Sequence, residues 1–187
     1  MATAELLTRP MTIAEFAQLP PSEGSRELIA GEVIEMNMPK PQHGYITTNL
    51  AVILHRFVHP RKLGRVFSND AGMVTQRNPD SVRGPDVFFA SFDRLPADAP
   101  LDEYLATAPE LVCEVRSSDQ TFGELAAKAA EYLNAGVTVV FIADPETETV
   151  VLHFADKPPA TLRGADLLKL PEVFGDDFEV PIKAVFE

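Results

Sequence analysis

The sequence predicts a mixed α/β fold whose sheet combines parallel and antiparallel strands. With 187 residues, 45% of them hydrophobic and 24% charged, the chain can form a single domain over residues 1–187 with a buried core. Residues 110–143 are predicted as strand, helix and strand, because the helical period of FGELAAKAAEYLNAG separates two apolar, β-rich runs. This order predicts two parallel neighbouring strands joined by a right-handed crossover.

Antiparallel strands are predicted on both sides of this centre. RELIAGEVIEM predicts a hairpin near the front of the chain, and TVVLHF predicts the hairpin partner of the second central strand. Further strands are predicted between residues 64 and 92. Residues 93–109, rich in Asp, Ala and Pro, predict a loop with one helical turn around Tyr104.

Two more helices are predicted before the central unit. Residues 12–20 begin with Thr12 and Glu15 at the spacing of a capping box and end at a pair of prolines. Apolar residues at a spacing near 3.6 predict an amphipathic helix over residues 43–58 that is ended by Pro60. Its apolar stripe predicts that this helix covers one face of the sheet.

The charge of the chain limits the classes of protein to which it can belong. A formal net charge of −12 argues against nonspecific coating of nucleic acid, since phosphate contacts need Lys and Arg. HRFVHPRKLGR, residues 55–65, is a positive island without an acid, and its four cations are Arg56, Arg61, Lys62 and Arg65. Two interpretations fit the island: cations at the C-terminus of a helix, or a surface that faces phosphate.

Location and cysteine chemistry follow from equally simple features. The N-terminal segment carries acids and lacks an apolar leader core, and no run reaches the roughly 18 apolar residues of a membrane span. We therefore expect a cytoplasmic protein that does not bind membranes.

Cys113 is the single cysteine, which excludes an internal disulfide and predicts a buried thiol. The motifs of serine hydrolases, nucleotide-binding loops and zincins are absent from the sequence.

A carboxylate interrupts the apolar strand ELVCEVRSS. In an extended strand the side chains alternate, so Glu114 shares a face with Val112 and Arg116. The opposite face holds Leu111, Cys113 and Val115. Burying an unpaired carboxylate under a helix costs several kcal/mol. Glu114 therefore needs a partner, either a cation or a metal.

A second acid occurs in a similar setting. Asp86 follows Gly84 and Pro85 directly and precedes the apolar segment VFFA, which predicts a position at or near the start of a strand. Two carboxylates on adjacent strands would repel each other, and one would be protonated unless a positive charge stood between them. A divalent cation would satisfy both acids.

The helix after the Glu114 strand offers a cation. Glu124, Lys128 and Tyr132 are spaced by four residues and share one helix face. The alternative is a surface pair between Glu124 and Lys128 that contributes only about 0.2 to 0.5 kcal/mol. Ser117 and Asp119 are predicted to cap the start of this helix.

At these residues the chain resembles the Uma-type restriction endonuclease family of the PD-(D/E)XK nuclease superfamily. The likeness is carried by GPDV, by CEVRSSD, by the helix with Lys128 and Tyr132, and by the AGV and ADP that follow. It extends to RELIAGEVIEM, PKPQHG and the tail from Leu167 to Phe186, and so covers nearly the whole chain from about residue 12. It implies a restriction-endonuclease-like core over about residues 26–155 with an N-terminal helix and hairpin, and an extension over about residues 156–187.

The resemblance also implies roles for individual residues. Asp86 and Glu114 would bind Mg²⁺ or Mn²⁺ together with the backbone carbonyl of Val115. The superfamily pattern has a lysine two residues after the acid, where this sequence has Arg116. Arginine stays protonated, so it can hold a phosphate but cannot act as a general base. Lys128 resembles the relocated lysine of some relatives.

Four further residues are candidates for phosphate binding or support of the site. Glu27 and Glu32 resemble the ELI-x-GE pattern of the family, as further ligands or as solvated strand residues, and we favour the solvated interpretation for both. His43, at the start of its helix, would contact phosphate or cap the helix. Tyr132 shares the helix face of Lys128.

These features predict a Mg²⁺-dependent endonuclease that hydrolyses phosphodiester bonds, in DNA, as a homodimer. The alternative from another class is a nuclease-fold protein that does not cut and serves in binding or assembly. In that case Glu114 forms a structural ion pair with Arg116 or Lys128. A third alternative is hydrolysis of another phosphate ester.

Overall fold

The computed structural model describes residues 9–22 and 24–187, so residues 1–8, on which the expectation of no leader peptide partly rests, lie outside it. The helices are α1 (Ile13–Phe16), α2 (Pro41–Arg61), α3 (Phe122–Asn134), α4 (Pro171–Phe174) and α5 (Lys183–Phe186), with a short 3₁₀ helix at Gly175–Asp177. The strands of the first half are β1 (Arg26–Ile29), β2 (Glu32–Glu35), β3 (Gly64–Ser68), β4 (Met73–Gln76), β5 (Ser81–Arg83) and β6 (Val87–Ser91). Those of the second half are β7 (Leu111–Val115), β8 (Val139–Asp144), β9 (Thr149–Phe154), β10 (Ala160–Arg163), β11 (Leu167–Lys169) and β12 (Glu179–Pro181).

The central sheet is mixed, as the sequence predicts. Its strand order is β10-β9-β8-β7-β6-β3, with β7 and β8 parallel and the other neighbours antiparallel. The connection between β7 and β8 is α3, which confirms the strand-helix-strand unit. The predicted hairpin is β1 and β2, and it belongs to a second sheet of order β2-β1-β5-β4. Strands β11 and β12 pair in the tail.

Two helical layers cover the two faces of the central sheet. On one face, α2 buries Ile46, Leu50, Leu54 and Val58 against the odd-numbered side chains of β7 and against the C-terminal tail. On the other face, α3 buries Leu125, Ala129 and Tyr132 against Val112 and its neighbours. Both helices run along the sheet because their apolar residues recur at three- and four-residue spacing. Cys113 lies in the first of these cores and is buried, as predicted.

The ends of α1 and α2 can be compared with their sequence signals. Thr12 and Glu15 form the predicted capping box at the start of α1. The prediction that Pro60 ends α2 is wrong, because the helix extends to Arg61 with Pro60 inside its last turn. It ends at Lys62, whose left-handed backbone (φ 54°) lets its N–H bond the carbonyls of the last turn.

Two local predictions fail because other contacts prevail. The helical turn predicted around Tyr104 is wrong. Leu105 instead pairs in extended conformation with β4, where its carbonyl accepts from the Val74 N–H at 2.8 Å. The predicted caps at Ser117 and Asp119 are also wrong, since Thr121 caps α3 through a capping box with Glu124. Within the described ranges, every helix is too short or too polar to cross a membrane.

Candidate active site

The two acids singled out in the sequence lie opposite each other where two antiparallel strands meet, because Asp86 directly precedes β6 and Glu114 belongs to β7. Val87 of β6 pairs with Cys113 of β7, so the next residues along the ladder, Asp86 and Glu114, face each other at the end of β6. Both carboxylates are nearly inaccessible, at 8% and 5% exposure.

Asp86 is fixed by a strand and by a helix. Its Oδ2 accepts the Val115 backbone N–H at 2.7 Å and lies 3.3 Å from Nε2 of His43, in the first turn of α2. Burial would lower the pKa of His43, but the hydrogen bond and charge of Asp86, with contributions from Glu114 and the Val115 backbone, raise it above its ordinary value. The ring therefore faces the acids and not the helix terminus.

Glu114 is held from α3. Its Oε1 accepts the Tyr132 hydroxyl at 2.7 Å and lies 3.0 Å from Nζ of Lys128. Burial raises the pKa of Glu114 to about 7 against the lowering charge of Lys128, and the charge of Asp86 adds to the rise. Burial alone would lower the pKa of Lys128, but the charges of Glu114 and Glu27 raise it above its ordinary value. The lysine is thus a stable cation between two acids.

Glu27 completes this cluster from the hairpin. It is 3% exposed, and its Oε1 lies 3.2 Å from Nζ of Lys128 and accepts the Gly84 N–H at 3.1 Å. Burial would raise the pKa of Glu27, but Lys128 and Arg83 together lower it. The preference for a solvated Glu27 is therefore wrong, whereas Glu32 is exposed as expected.

Sequence reasoning missed Arg83 and Glu131, which extend the cluster through hydrogen bonds that Arg83 donates to Glu27 and to Glu131. Arg83 donates from Nη1 to Glu27 at 2.7 Å and from Nε to both oxygens of Glu131 at 3.0 Å. Thr75 also donates its hydroxyl to Glu131. Glu131 lies three residues after Lys128 and one before Tyr132, so helical spacing could have placed it beside the site. Arg83 carries no comparable local signal.

Two ion pairs considered as alternatives, both between residues that the structure describes, are not formed: the surface pair of Lys128 with Glu124 and the pair of Arg116 with Glu114. The predicted surface pair of Glu124 with Lys128 is wrong, because Glu124 binds Thr121 in the helix cap and Lys128 faces inward. Arg116 does not pair with Glu114. Its Nη1 donates to Asp144 and to Glu146, both at 2.9 Å, at the ends of β7 and β8.

A cavity of about 1310 Å³ opens beside the cluster, and its lining includes Glu27, His43, Arg116 and Lys128. The segment after β2 forms part of its rim. There Asn37 Nδ2 donates to Asp119 and Lys40 Nζ donates to Ser118, each at 2.9 Å. The site is thus a cleft between the hairpin and α3, and Lys128 in its lining contacts the buried Glu114.

The residues present suit a hard divalent cation. Asp86, Glu114 and the Val115 carbonyl are oxygen donors, the class that Mg²⁺ and Mn²⁺ prefer, and the two acids repel each other without a charge between them. Among the residues that the structure describes, no three His, Cys, Asp or Glu side chains are grouped as metal ligands. A cation would therefore complete its shell with the carbonyl, water and substrate oxygens.

Residues 13–183 match the model of the Uma2 family, described as "Putative restriction endonuclease". The fold is similar to that in a "Crystal structure of a putative nuclease belonging to DUF820 from Anabaena variabilis ATCC 29413", with a TM-score of 0.82 and 23% identity. This likeness covers 95% of the present chain and 98% of the other, and at that identity it shows the fold. No curated protein matches the chain. The restriction-endonuclease-like fold class is thus confirmed, and because the family match spans most of the sequence, the chain belongs to the Uma2 family.

Proposed function

We propose that this protein is an endonuclease that uses Mg²⁺ or Mn²⁺ to hydrolyse phosphodiester bonds in DNA. One observation carries the proposal: Asp86 and Glu114 lie buried and opposite each other, with the Lys128 ammonium 3.0 Å from Glu114 at the edge of an open cleft. Burial of two acids and a cation is costly for stability, and such arrangements concentrate at functional sites.

Asp86, Glu114 and the Val115 carbonyl would hold the metal ion. When bound, the ion would lower the pKa of a coordinated water and offset the charge that develops on the phosphate. Lys128 orients the attacking water and stabilises negative charge, and its raised pKa excludes it as a general base near neutral pH. Tyr132 fixes the Glu114 carboxylate by donating its hydroxyl at 2.7 Å.

Two residues at the cleft are proposed to contact the substrate phosphate. His43 faces Asp86 across 3.3 Å and lines the cleft, so its ring can donate to a phosphate oxygen beside the acids. Arg116 shares its Nη1 between two carboxylates, but its Nη2 has no hydrogen bond within the described part of the chain. That nitrogen is the atom we assign to phosphate.

The remaining parts of the proposal concern assembly and location. A single site of this kind cuts one strand, and a two-fold dimer is the commonest assembly for soluble proteins, so we propose a homodimer. A cytoplasmic location remains the prediction of the sequence.

The alternative function is a binding or assembly module in which the acids are structural. The observation that favours it is the completeness of the ion pairing, because Lys128 lies between Glu27 and Glu114 at 3.2 and 3.0 Å. In that case the cluster would need no metal, and substitutions would change stability alone.

Calorimetric titration with Mn²⁺ separates the two functions. We expect wild-type protein to bind Mn²⁺, and Asp86→Ala and Glu114→Gln each to abolish binding. Both variants should also reduce cleavage of a plasmid substrate by at least roughly 10²-fold. Glu32→Gln is the matched control, because Glu32 is an exposed acid of the hairpin.

Absence of Mn²⁺ binding in the wild type, both alone and with DNA present, would contradict the proposal. So would unchanged cleavage in the two variants. A lower melting temperature in Asp86→Ala and Glu114→Gln without any metal binding in the wild type would establish the structural alternative.

A further inference from the structure

The positive island is distinguished from other cations of the chain by its lack of ion pairs. Within the described residues, salt bridges engage cations on the hairpin, the central sheet, α3 and the tail, among them Arg26, Arg83, Arg94, Arg116, Lys128 and Lys169. In the same part of the chain, none of the four island cations forms a salt bridge. Outside the island, the lysines and arginines that form no salt bridge within the described residues are Lys40 and Arg163. In a chain of net charge −12, this leaves a local surface whose charge suits an anion.

A groove of about 720 Å³ connects this island with the candidate active site. Asp86 and His43 line one end and Arg56 lines the other, so one cavity joins Asp86 to a cation that forms no salt bridge within the described residues. Gly44, Thr48 and Arg56 also line it, and their spacing by multiples of four places them on one row of side chains that winds obliquely around α2. Over these residues the helix rises about 18 Å, roughly the rise of five nucleotides in one strand of B-form DNA.

The opposite wall of the groove carries polar residues beside Val66 of β3. It is formed at the end of β3 by Ser68 and Asn69, whose side chains can donate hydrogen bonds to phosphate oxygens. Asp70 is an acid on this wall, and it accepts the hydroxyl of Ser25 at 2.5 Å. The groove therefore combines a cation at its far end with donors along one side.

Gly44 occupies a helical position where neither the backbone conformation nor a close contact requires glycine. It lies in the first turn of α2, where its N–H bonds the Lys40 carbonyl, and it has no positive φ. A Cβ at this position would meet no atom within 4 Å. Glycine is less favourable than alanine inside a helix, and it is typical where another backbone must approach closely. Position 44 is on the groove, beside His43.

We infer that this groove holds one strand of the DNA substrate, with the strand's backbone against Gly44 and a flanking phosphate on Arg56. The inference rests on the proposed nuclease function for the position of the scissile phosphate, because Asp86 lines the end of the groove. The strand would run along α2 and leave the acids toward the positive island.

The first test is binding without cleavage. Fluorescence anisotropy would follow a labelled single-stranded oligonucleotide of about 12 nucleotides in EDTA over a series of salt concentrations. We expect Arg56→Gln to weaken binding about 3- to 10-fold and to reduce the slope of log K against log salt by about 0.7, the value for one phosphate contact on a single strand. Arg163→Gln is the matched control, because Arg163 is an exposed cation on β10, outside the groove, that has no ion pair within the described residues.

The second test compares two glycines. Gly44→Ala and Gly123→Ala each add a methyl group in the first turn of a helix, and neither methyl would meet an atom closer than 3.9 Å. Both variants should keep or raise the melting temperature. Gly44→Ala alone should weaken binding of the oligonucleotide, by roughly tenfold, because the methyl group would displace the strand.

The outcomes separate this inference from the nuclease proposal. Wild-type cleavage with unchanged binding and cleavage in Arg56→Gln and Gly44→Ala would overturn the groove and leave the nuclease proposal intact. Equal losses in Arg56→Gln and Arg163→Gln would also overturn it, since they would show only a general effect of charge. Binding that depends on Arg56 and Gly44 in a protein that neither binds Mn²⁺ nor cuts would support the groove and contradict the nuclease proposal.

Discussion

The two faces of the central sheet bury different kinds of residue, although one strand supplies both. On the α2 face, the side chains of Leu111, Cys113 and Val115 of β7 belong to an apolar core. On the α3 face the same strand presents Val112 and then Glu114, a carboxylate that contacts a lysine and a tyrosine. Alternation along a strand thus separates the two chemistries by a single residue.

This difference shows which parts of the fold are arranged for stability alone. An apolar face gains free energy with each buried group, whereas burying ions costs several kcal/mol for each, which their pairing only partly offsets. Glu27 and Glu114 are buried beside the mostly buried Lys128, although apolar residues of similar size would often be no less stable. We therefore ascribe the buried ions of the α3 face to function and the apolar core beneath α2 to packing.

Removing the cation from the ionic face should have the largest effect. Lys128→Met leaves Glu27 and Glu114 buried without the charge between them, and we expect a loss of about 3–5 kcal/mol in the free energy of unfolding at pH 8. The loss should shrink at pH 5.5, because Glu114 then takes up a proton. Urea unfolding at the two pH values measures both numbers.

A double variant provides the control for Lys128. If the cost comes from the buried, unpaired charge of Glu114, Lys128→Met combined with Glu114→Gln should be more stable at pH 8 than Lys128→Met alone. A double variant that is less stable than Lys128→Met would show that the lysine acts through packing, and the contrast between the faces would then be lost.

A matched truncation on the apolar face should have a slightly smaller and different effect. Leu54 of α2 is 2% exposed within the apolar core, and Leu54→Ala should cost about 3 kcal/mol. The cost should not change between pH 5.5 and 8, and cleavage per folded molecule should remain within about twofold of wild type. A pH-dependent cost, or a selective loss of cleavage, would break the division between the faces.

The sequence could predict the elements that short-range patterns determine. The strand-helix-strand unit and the capping box of α1 follow from periodicity and from residues three positions apart. Glu114 could be identified as anomalous because a single carboxylate interrupts an apolar strand. Its partners on α3 were predicted from helical spacing and from the family likeness, and Lys128 and Tyr132 both contact it.

Contacts between distant segments could not be predicted in this way. Arg83 bonds Glu27 and Glu131 across 56 and 48 residues of sequence, and no local pattern relates such positions. The solvated interpretation of Glu27 failed for this reason. The helical turn around Tyr104 failed similarly, because pairing of Leu105 with β4 outweighed the local preference.

The next prediction concerns pH and the ionic face alone. Glu114 has a pKa of about 7 in the folded protein and an ordinary value of 4.5, so between these values the folded state binds more protons than the unfolded chain. The contribution of Glu114 to the free energy of unfolding is therefore fully present below pH 4.5 and is lost as the pH rises through 7. The decrease over this whole range should be on the order of 3 kcal/mol, while Lys128 remains protonated throughout.

Metal-free wild type and Glu114→Gln should therefore be compared between pH 5 and 8. We expect the variant to show a flatter profile and to exceed the wild type in stability at pH 8. Cys113→Ala changes the neighbouring residue on the apolar face and should leave the slope of the profile unaltered. Parallel profiles for wild type and Glu114→Gln would mean that Glu114 is ionised throughout this range.

The smallest effect is expected at Arg116, where the ionic face meets the loop after β7. Asp144 keeps the Thr147 hydroxyl and the Glu146 N–H when the guanidinium is lost, so Arg116→Gln should lower the melting temperature only slightly. If Nη2 binds phosphate, the variant should raise the KM for DNA severalfold while kcat changes by less than about threefold. Lys128→Met should instead lower kcat. A kcat loss in Arg116→Gln as large as that of Lys128→Met would place Arg116 at the reacting phosphate. The catalytic residues would then include one beyond the end of β7.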